Sequence, residues 1–118
     1  LDKMNIRRSQ IIQKYMDGIK GIEEIELLVP YEPENYVYQM FGIRVDRRDE
    51  LMIHLKSLGI ATGCHYTPLT NQPLFSVYKG DCSYIESEVN RLITLPLHAD
   101  LTDFEVDFVI DALSKFYK

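Results

Sequence analysis

The sequence predicts an α+β domain: a small mixed, mainly antiparallel sheet with helices packed on one face. Three observations carry this expectation. Residues 36–45 alternate with apolar side chains on both faces, as a central strand does. Residues 47–58 and 103–117 repeat apolar residues at helical spacing. The apolar run 93–98 contains Pro96, which can give no hydrogen bond to a ladder and so marks an edge strand.

The chain opens on helical spacing. Leu1, Met4, Ile11, Tyr15, Met16 and Ile19 share one face, Arg7, Arg8, Gln10, Gln13 and Lys14 fill the other, and Gly18 and Gly21 supply the stop. Leu1 already lies on the apolar stripe with no capping residue before it, so the helix is expected to continue upstream as part of a larger protein. After a short apolar segment, 25–29, the prolines and acids of 30–35 read as an exposed loop. In the strand that follows, Val37, Gln39, Phe41, Ile43 and Val45 form one face and Tyr36, Tyr38, Met40, Gly42 and Arg44 the other. Gln39 is the polar exception on its face, either hydrogen-bonded within the core or exposed at a site.

Asp46 is the expected cap of the next helix, with Asp49 in its first turn. Leu51, Met52, Leu55 and Leu58 make the buried stripe, Gly59 follows as the residue after the helix, and His54 falls off the stripe toward solvent. A second strand is expected over 60–66, and the strand-helix-strand order requires both strands to run the same way. Leu74, Phe75, Val77 and Tyr78 suggest a helical turn ending at Gly80. Ser83 and Glu86 are spaced as a capping box for a helix with Ile85, Val89 and Leu92 on one side, and Thr102 and Glu105 as another. The last helix carries Val106, Val109, Ile110, Leu113 and Phe116, so Phe41, Ile43, Leu55, Val109 and Leu113 are expected to be buried together.

Composition narrows the function classes. At 118 residues the chain fits one domain that buries roughly two thirds of its unfolded surface. With 46% hydrophobic and 26% charged residues it is an ordinary globular sequence. Thirteen basic against eighteen acidic residues give a net charge of −5, which repels a nucleic-acid backbone. No apolar run approaches the ~20 residues of a membrane span and no secretory leader is visible, so a cytoplasmic protein with free thiols at Cys64 and Cys82 is expected. Cys64, His65, Cys82 and His98 lack the paired spacings of a zinc site, and no metal is expected.

The stretch from 59 to 73 holds the candidate site. Its expected strand must end at about Tyr66, because Pro68 and Pro73 cannot continue one. His65 and Tyr66 thus sit where a rigid element breaks into a loop, a place from which side chains reach ligands. Adjacent strand residues diverge, so at most one points straight into a pocket unless the chain is already twisting into the loop; His65 is the expected contact, with Tyr66 as its support.

The opening Leu-Asp-Lys with Tyr15, Phe41-Gly42-Ile43-Arg44-Val45 followed by Arg48-Asp49, Gly63-Cys64-His65-Tyr66-Thr67-Pro68, and Thr94-Leu95-Pro96-Leu97-His98 before a capped helix occur here in one order. That succession, covering essentially the whole chain, resembles the C-terminal small domain of sugar aminotransferases of the DegT/DnrJ/EryC1/StrS family. The resemblance implies fold type I, a pyridoxal phosphate cofactor (PLP), and transfer of an amino group from glutamate to a nucleotide-linked keto sugar by a homodimer. It also implies a role in amino-sugar and surface-polysaccharide biosynthesis. The Schiff-base lysine, the acidic partner of the pyridine nitrogen and most phosphate ligands belong to the family's large domain, expected upstream of Leu1. Lys14, Lys20, Lys56 and Lys79 match no motif for that role, so no catalytic residue and no cofactor-binding residue is assigned here, and the chain alone is expected to be inactive.

Carried over by position, His65 and Tyr66 match the family's His-Tyr pair at the mouth of the sugar pocket. Gln39, ahead of Met40-Phe41, stands where many relatives have histidine; it can hydrogen-bond substrate but cannot titrate near neutral pH. Pro68 fixes the loop, and His98 reads as structural. The rival class is a free-standing α+β module that binds a small ligand or a protein without chemistry. A hydrolase using Cys64 or Cys82 with His65 fails because Cys64 and His65 would face opposite ways on a strand and no oxyanion motif accompanies Cys82.

Overall fold

A computed structural model of the chain describes residues 1–28, 36–78 and 80–118. The loop expected over 30–35, with Val29 and Lys79, lies outside them. The elements run α1 (Asp2–Ile19), β1 (Ile25–Leu27), β2 (Phe41–Val45), α2 (Arg48–Ser57), 3-10 turns at Leu69–Asn71 and Pro73–Tyr78, α3 (Ser83–Val89), β3 (Leu92–Leu95) and α4 (Asp103–Phe116). Among the described residues the strands form one sheet in the order β1-β2-β3. Both ladders are antiparallel, with Ile25 opposite Val45 and Phe41 opposite Leu95. The α+β class, the central place of β2 and the edge place of β3 are as the sequence predicts.

Alternation sorts β2 into two faces. Phe41, Ile43 and Val45 are buried beneath the helices, whereas Gly42 and Arg44 are half-buried on the other side. Ile93 and Leu95 of β3, Leu51 and Leu55 of α2, Ile11, Ile12, Tyr15 and Ile19 of α1 and Val106, Val109 and Leu113 of α4 join them in one apolar core. Each fully buried Leu or Ile contributes about 1.5–3 kcal/mol. All five residues expected to form the core are in it. On the open face Arg44 bridges Glu26 of β1 and Glu88 of α3, and its guanidinium holds the Glu26 carboxyl below the usual carboxylate range.

α4 packs across α1 and α2. Gly18 belongs to that contact rather than to a helix stop: it lies inside α1, and a Cβ there would fall 2.6 Å from Ile110 Cδ1. Leu1 and Met4, on the expected stripe, are exposed, because the buried part of α1 begins at Ile11. Leu58 is likewise exposed at the end of α2, and Gly59 takes its expected place beyond it with φ +77°.

Several boundaries differ from expectation for identifiable reasons. The central strand spans 41–45, not 36–45: β3 ends at Leu95 and turns through His98–Leu101 toward α4, and among the described residues no strand lies beside 36–40. The expected strand 60–66 is an extended segment joined to β3 by one antiparallel bridge, Gly63 to Thr94. Toward Ala61 the ladder cannot continue, since the next hydrogen-bonded position, just past β3, is Pro96, which has no N–H to give. Both β2 and Gly63 pair antiparallel to β3, so 60–66 runs in the direction of β2 as the crossover requires.

Asp46 does not cap α2; Arg47 occupies that position, and Asp46 accepts from Arg91 Nε at 2.7 Å. His54 is not turned to solvent: its Nε2 lies 3.1 Å from the Ala112 carbonyl and its ring packs on Phe116. Ser83 caps nothing, because its hydroxyl donates to Asp81 at 2.8 Å, and Cys82 stands at the start of α3. Ile85 is exposed and α3 buries no residue. The Thr102 capping box forms as expected, with Glu105 N–H donating to the Thr102 hydroxyl and Thr102 N–H to the Glu105 carboxylate.

Candidate active-site cleft

Three pieces of chain meet beside the exposed edge of β3. The end of β3 and the residues after it, 94–97, form one wall, the bridged segment 61–66 a second, and Gln39 and Met40, just ahead of β2, a third. Between them lies a cleft of about 370 Å³. Gln39, His65 and Tyr66, the three residues singled out in the sequence, all line it. Gln39 is exposed, so it is not a glutamine hydrogen-bonded within the core.

The wall at Pro96 is held from inside. Tyr15 of α1 stacks on Phe41, ring centroids 5.3 Å apart, and its hydroxyl donates to the Pro96 carbonyl at 2.9 Å. Burial pushes the Tyr15 phenol well above its ordinary pKa, so this donor keeps its proton at every physiological pH. The bridged wall is held by main chain: Gly63 N–H donates to Thr94 O at 3.1 Å and Thr94 N–H to Gly63 O at 2.7 Å.

His65 folds back over this bridge. Its Nδ1 lies 3.1 Å from Thr94 Oγ1, and a Cβ on Gly63 would fall 2.6 Å from its Cε1. The ring of Tyr66 stands edge-on to it, centroids 5.1 Å apart, and the peptide bond joining the two residues is cis. Both side chains line the cleft, the outcome expected where the chain has already left the strand for the loop.

Among the described residues, the lining carries no Asp, Glu, Lys or Arg. Amide, imidazole, phenol and the hydroxyls of Thr62 and Thr94 provide neutral donors and acceptors, and the two rings provide flat apolar surface. Such a set suits a hydroxylated, uncharged ligand portion. It does not suit the anchoring of PLP, which takes a lysine for its aldehyde and an acid for its ring nitrogen. Lys14 is instead paired with Asp107 at 3.0 Å and Lys115 with Asp111 at 2.7 Å, while Lys20 and Lys56 are exposed away from the cleft.

Other candidates lie elsewhere. His98 lines a separate, largely apolar cavity of about 450 Å³ between Gly59 and α4, and its carbonyl accepts from Leu101 N–H in the turn before α4. The backbone, not the ring, makes that turn. Cys64 and Cys82 are free thiols, and Cys64 Sγ contacts Met52 Sδ at 3.6 Å rather than His65. Thr94 and Gly63 are the residues that sequence reasoning passed over. Both stood in motifs already quoted, and the absence of any charged residue over 59–78 was a further signal of a neutral site.

The sequence matches the DegT/DnrJ/EryC1/StrS aminotransferase family over residues 1–114. Among solved structures, the chain is similar to DesV from S. venezuelae, in complex with a ketimine intermediate, at 31% identity and TM-score 0.92, over 99% of this chain and 33% of that one. It is similar to Spr1654 from Streptococcus pneumoniae, named as a candidate sugar aminotransferase in its PMP form, at 27% identity and TM-score 0.83, over 95% of this chain and 30% of that one. The sugar aminotransferase CalS13 from Micromonospora echinospora, at 18% identity and TM-score 0.89 over 97% of this chain and 31% of that one, shares the fold. The chain thus spans about a third of the length of these proteins. On the family match along nearly its whole length, the chain belongs to the DegT/DnrJ/EryC1/StrS aminotransferase family.

Proposed function

We propose that this chain is the C-terminal small domain of a PLP-dependent aminotransferase that moves an amino group from glutamate to a nucleotide-linked keto sugar, and that its cleft receives the sugar. The observation that carries the reading is the lining, free of Asp, Glu, Lys and Arg among the described residues, in which Gln39, His65 and Tyr66 converge on about 370 Å³. Sugars are bound by such neutral hydrogen-bonding groups and flat ring faces. Family membership and the names of the similar structures support the reaction class.

In this reading His65 contacts a hydroxyl or keto oxygen of the sugar, Tyr66 supports it from the side, and Gln39 donates or accepts from the opposite wall. The cofactor, when bound, supplies the electron sink for the amino transfer. Its lysine, ring-nitrogen partner and phosphate ligands come from outside residues 1–118, in a large domain, so the segment alone is inactive. The intact enzyme is a cytoplasmic homodimer that makes amino sugars for surface polysaccharide; the family resemblance supports this wider setting.

Steady-state kinetics of the intact enzyme test the reading, with glutamate as donor and the best acceptor from a panel of UDP-, dTDP-, GDP- and CDP-linked keto sugars. A neutral orienting hydrogen bond is worth about 0.5–1.5 kcal/mol, so His65→Asn should raise the acceptor KM about three- to tenfold and Tyr66→Phe by less. An unchanged KM and kcat in a folded His65→Asn enzyme would show that the histidine is merely structural. A fall of about a hundredfold in kcat with little change in KM would instead make it a proton-transfer group.

A further inference from the structure

His65 stands between two cavities, the cleft and a neighbouring one lined by Tyr36, Tyr38 and Met40, with Thr94 on the border of both. The place of its ring is set from behind. Thr94 is tightly fixed: its main chain is bonded to Gly63, it lies opposite Gly42 in the ladder, and its neighbours Ile93 and Leu95 are buried. A β-branched side chain on so constrained a residue has few rotamers open to it. On its other side the imidazole rests against Gly63, where only hydrogen leaves room for it. Nδ1 is engaged by the Thr94 hydroxyl, and Nε2 has no protein partner among the described residues.

We propose that Thr94 is a positioning residue for sugar recognition: its hydroxyl holds His65 so that Nε2 is presented to the ligand, and leaves that nitrogen able to donate or to accept. A carboxylate behind Nδ1 would only accept and would fix the proton there. A hydroxyl does both. With Thr94 donating to Nδ1, the hydrogen is on Nε2, which then donates to a carbonyl oxygen. With Thr94 accepting from Nδ1–H, Nε2 accepts from a hydroxyl or an amine. This matches the sugar side of an aminotransferase, where a keto oxygen in the substrate gives way to an amino group in the product. The inference rests on the proposed function and adds to it the residue that controls His65.

The test uses the intact enzyme and the same panel acceptor. Thr94→Val, which keeps the shape and removes the hydroxyl, should raise the acceptor KM about three- to tenfold, and Thr94→Ser should stay within about twofold of wild type. Thr94→Val should add nothing in a His65→Asn background. The ¹⁵N signals of the His65 ring should move in the valine variant and not in the serine variant, a readout that requires no substrate. A wild-type KM in a folded Thr94→Val enzyme, while His65→Asn is impaired, overturns the role of Thr94 and leaves the sugar reading standing. A full Thr94→Val effect that persists without His65 overturns it too, because the threonine would then act by another route. If His65→Asn itself has wild-type KM, the sugar reading falls and takes this role with it.

Discussion

At Gly63 a single methyl group decides where His65 can sit. A Cβ there would come within 2.6 Å of Cε1 and 3.1 Å of Nδ1, so the ring must swing off Thr94. Gly63 is not held at positive φ, so the substitution carries no backbone penalty of that kind. Gly63→Ala should therefore raise the acceptor KM of the intact enzyme about three- to tenfold while changing the melting temperature by only about a degree or two. Wild-type KM in that variant would mean the ring's contact with Gly63 has no bearing on the ligand. As candidates, Gln39 stood out in the sequence as the polar exception on a strand face, and His65 and Tyr66 as residues where a strand-like run breaks into a loop at Pro68. The partnership of His65 with Thr94 was not legible there. Those residues are 29 apart, and periodicity says which face a residue takes but not which distant hydroxyl arrives beside it.

Among the elements, α4 has the best-defined start. Thr102 and Glu105 satisfy each other's main-chain N–H groups at its first turn. Thr102→Ala should cost about 1 kcal/mol in urea or thermal unfolding. The backbone N–H of Thr102, and then its hydroxyl, hold the Glu105 carboxyl below its ordinary pKa. A group depressed in the folded state stabilises above its unfolded pKa and loses that effect as pH falls through the folded value. The stability gap between wild type and Glu105→Gln should thus be full at pH 7 and shrink below about pH 4.5. A gap that is constant down to pH 2 would contradict the role of the charged carboxylate. The same Ser-x-x-Glu spacing at residues 83–86 did not deliver a box, because Asp81, two residues ahead, captures the Ser83 hydroxyl. Spacing alone cannot rank such competitors. The expected strand 60–66 meets a similar obstacle: its composition suits a strand, but the missing N–H of Pro96 stops the ladder on the Ala61 side of its one bridge.

The whole molecule divides its labour between two sides of one small sheet edge. The core of α1, α2, α4 and the sheet is apolar and closed, and its placement followed directly from the hydrophobic periods. The cleft at the end of β3 is open and, among the described residues, lined by no Asp, Glu, Lys or Arg, and it is built by chain segments that carry little regular structure of their own. In the function proposed above it recognises the sugar, and among the described residues its lining offers no lysine or acid to anchor the cofactor. That division is the central claim, and mapping the cofactor lysine in the intact enzyme tests it most directly. The enzyme would be loaded with pyridoxal phosphate, reduced with borohydride, digested and sequenced by mass spectrometry. The expected result is one stoichiometric adduct on a lysine outside residues 1–118, with only scattered labelling inside them. A single stoichiometric adduct on Lys14, Lys56 or any other lysine within 1–118 would contradict the claim.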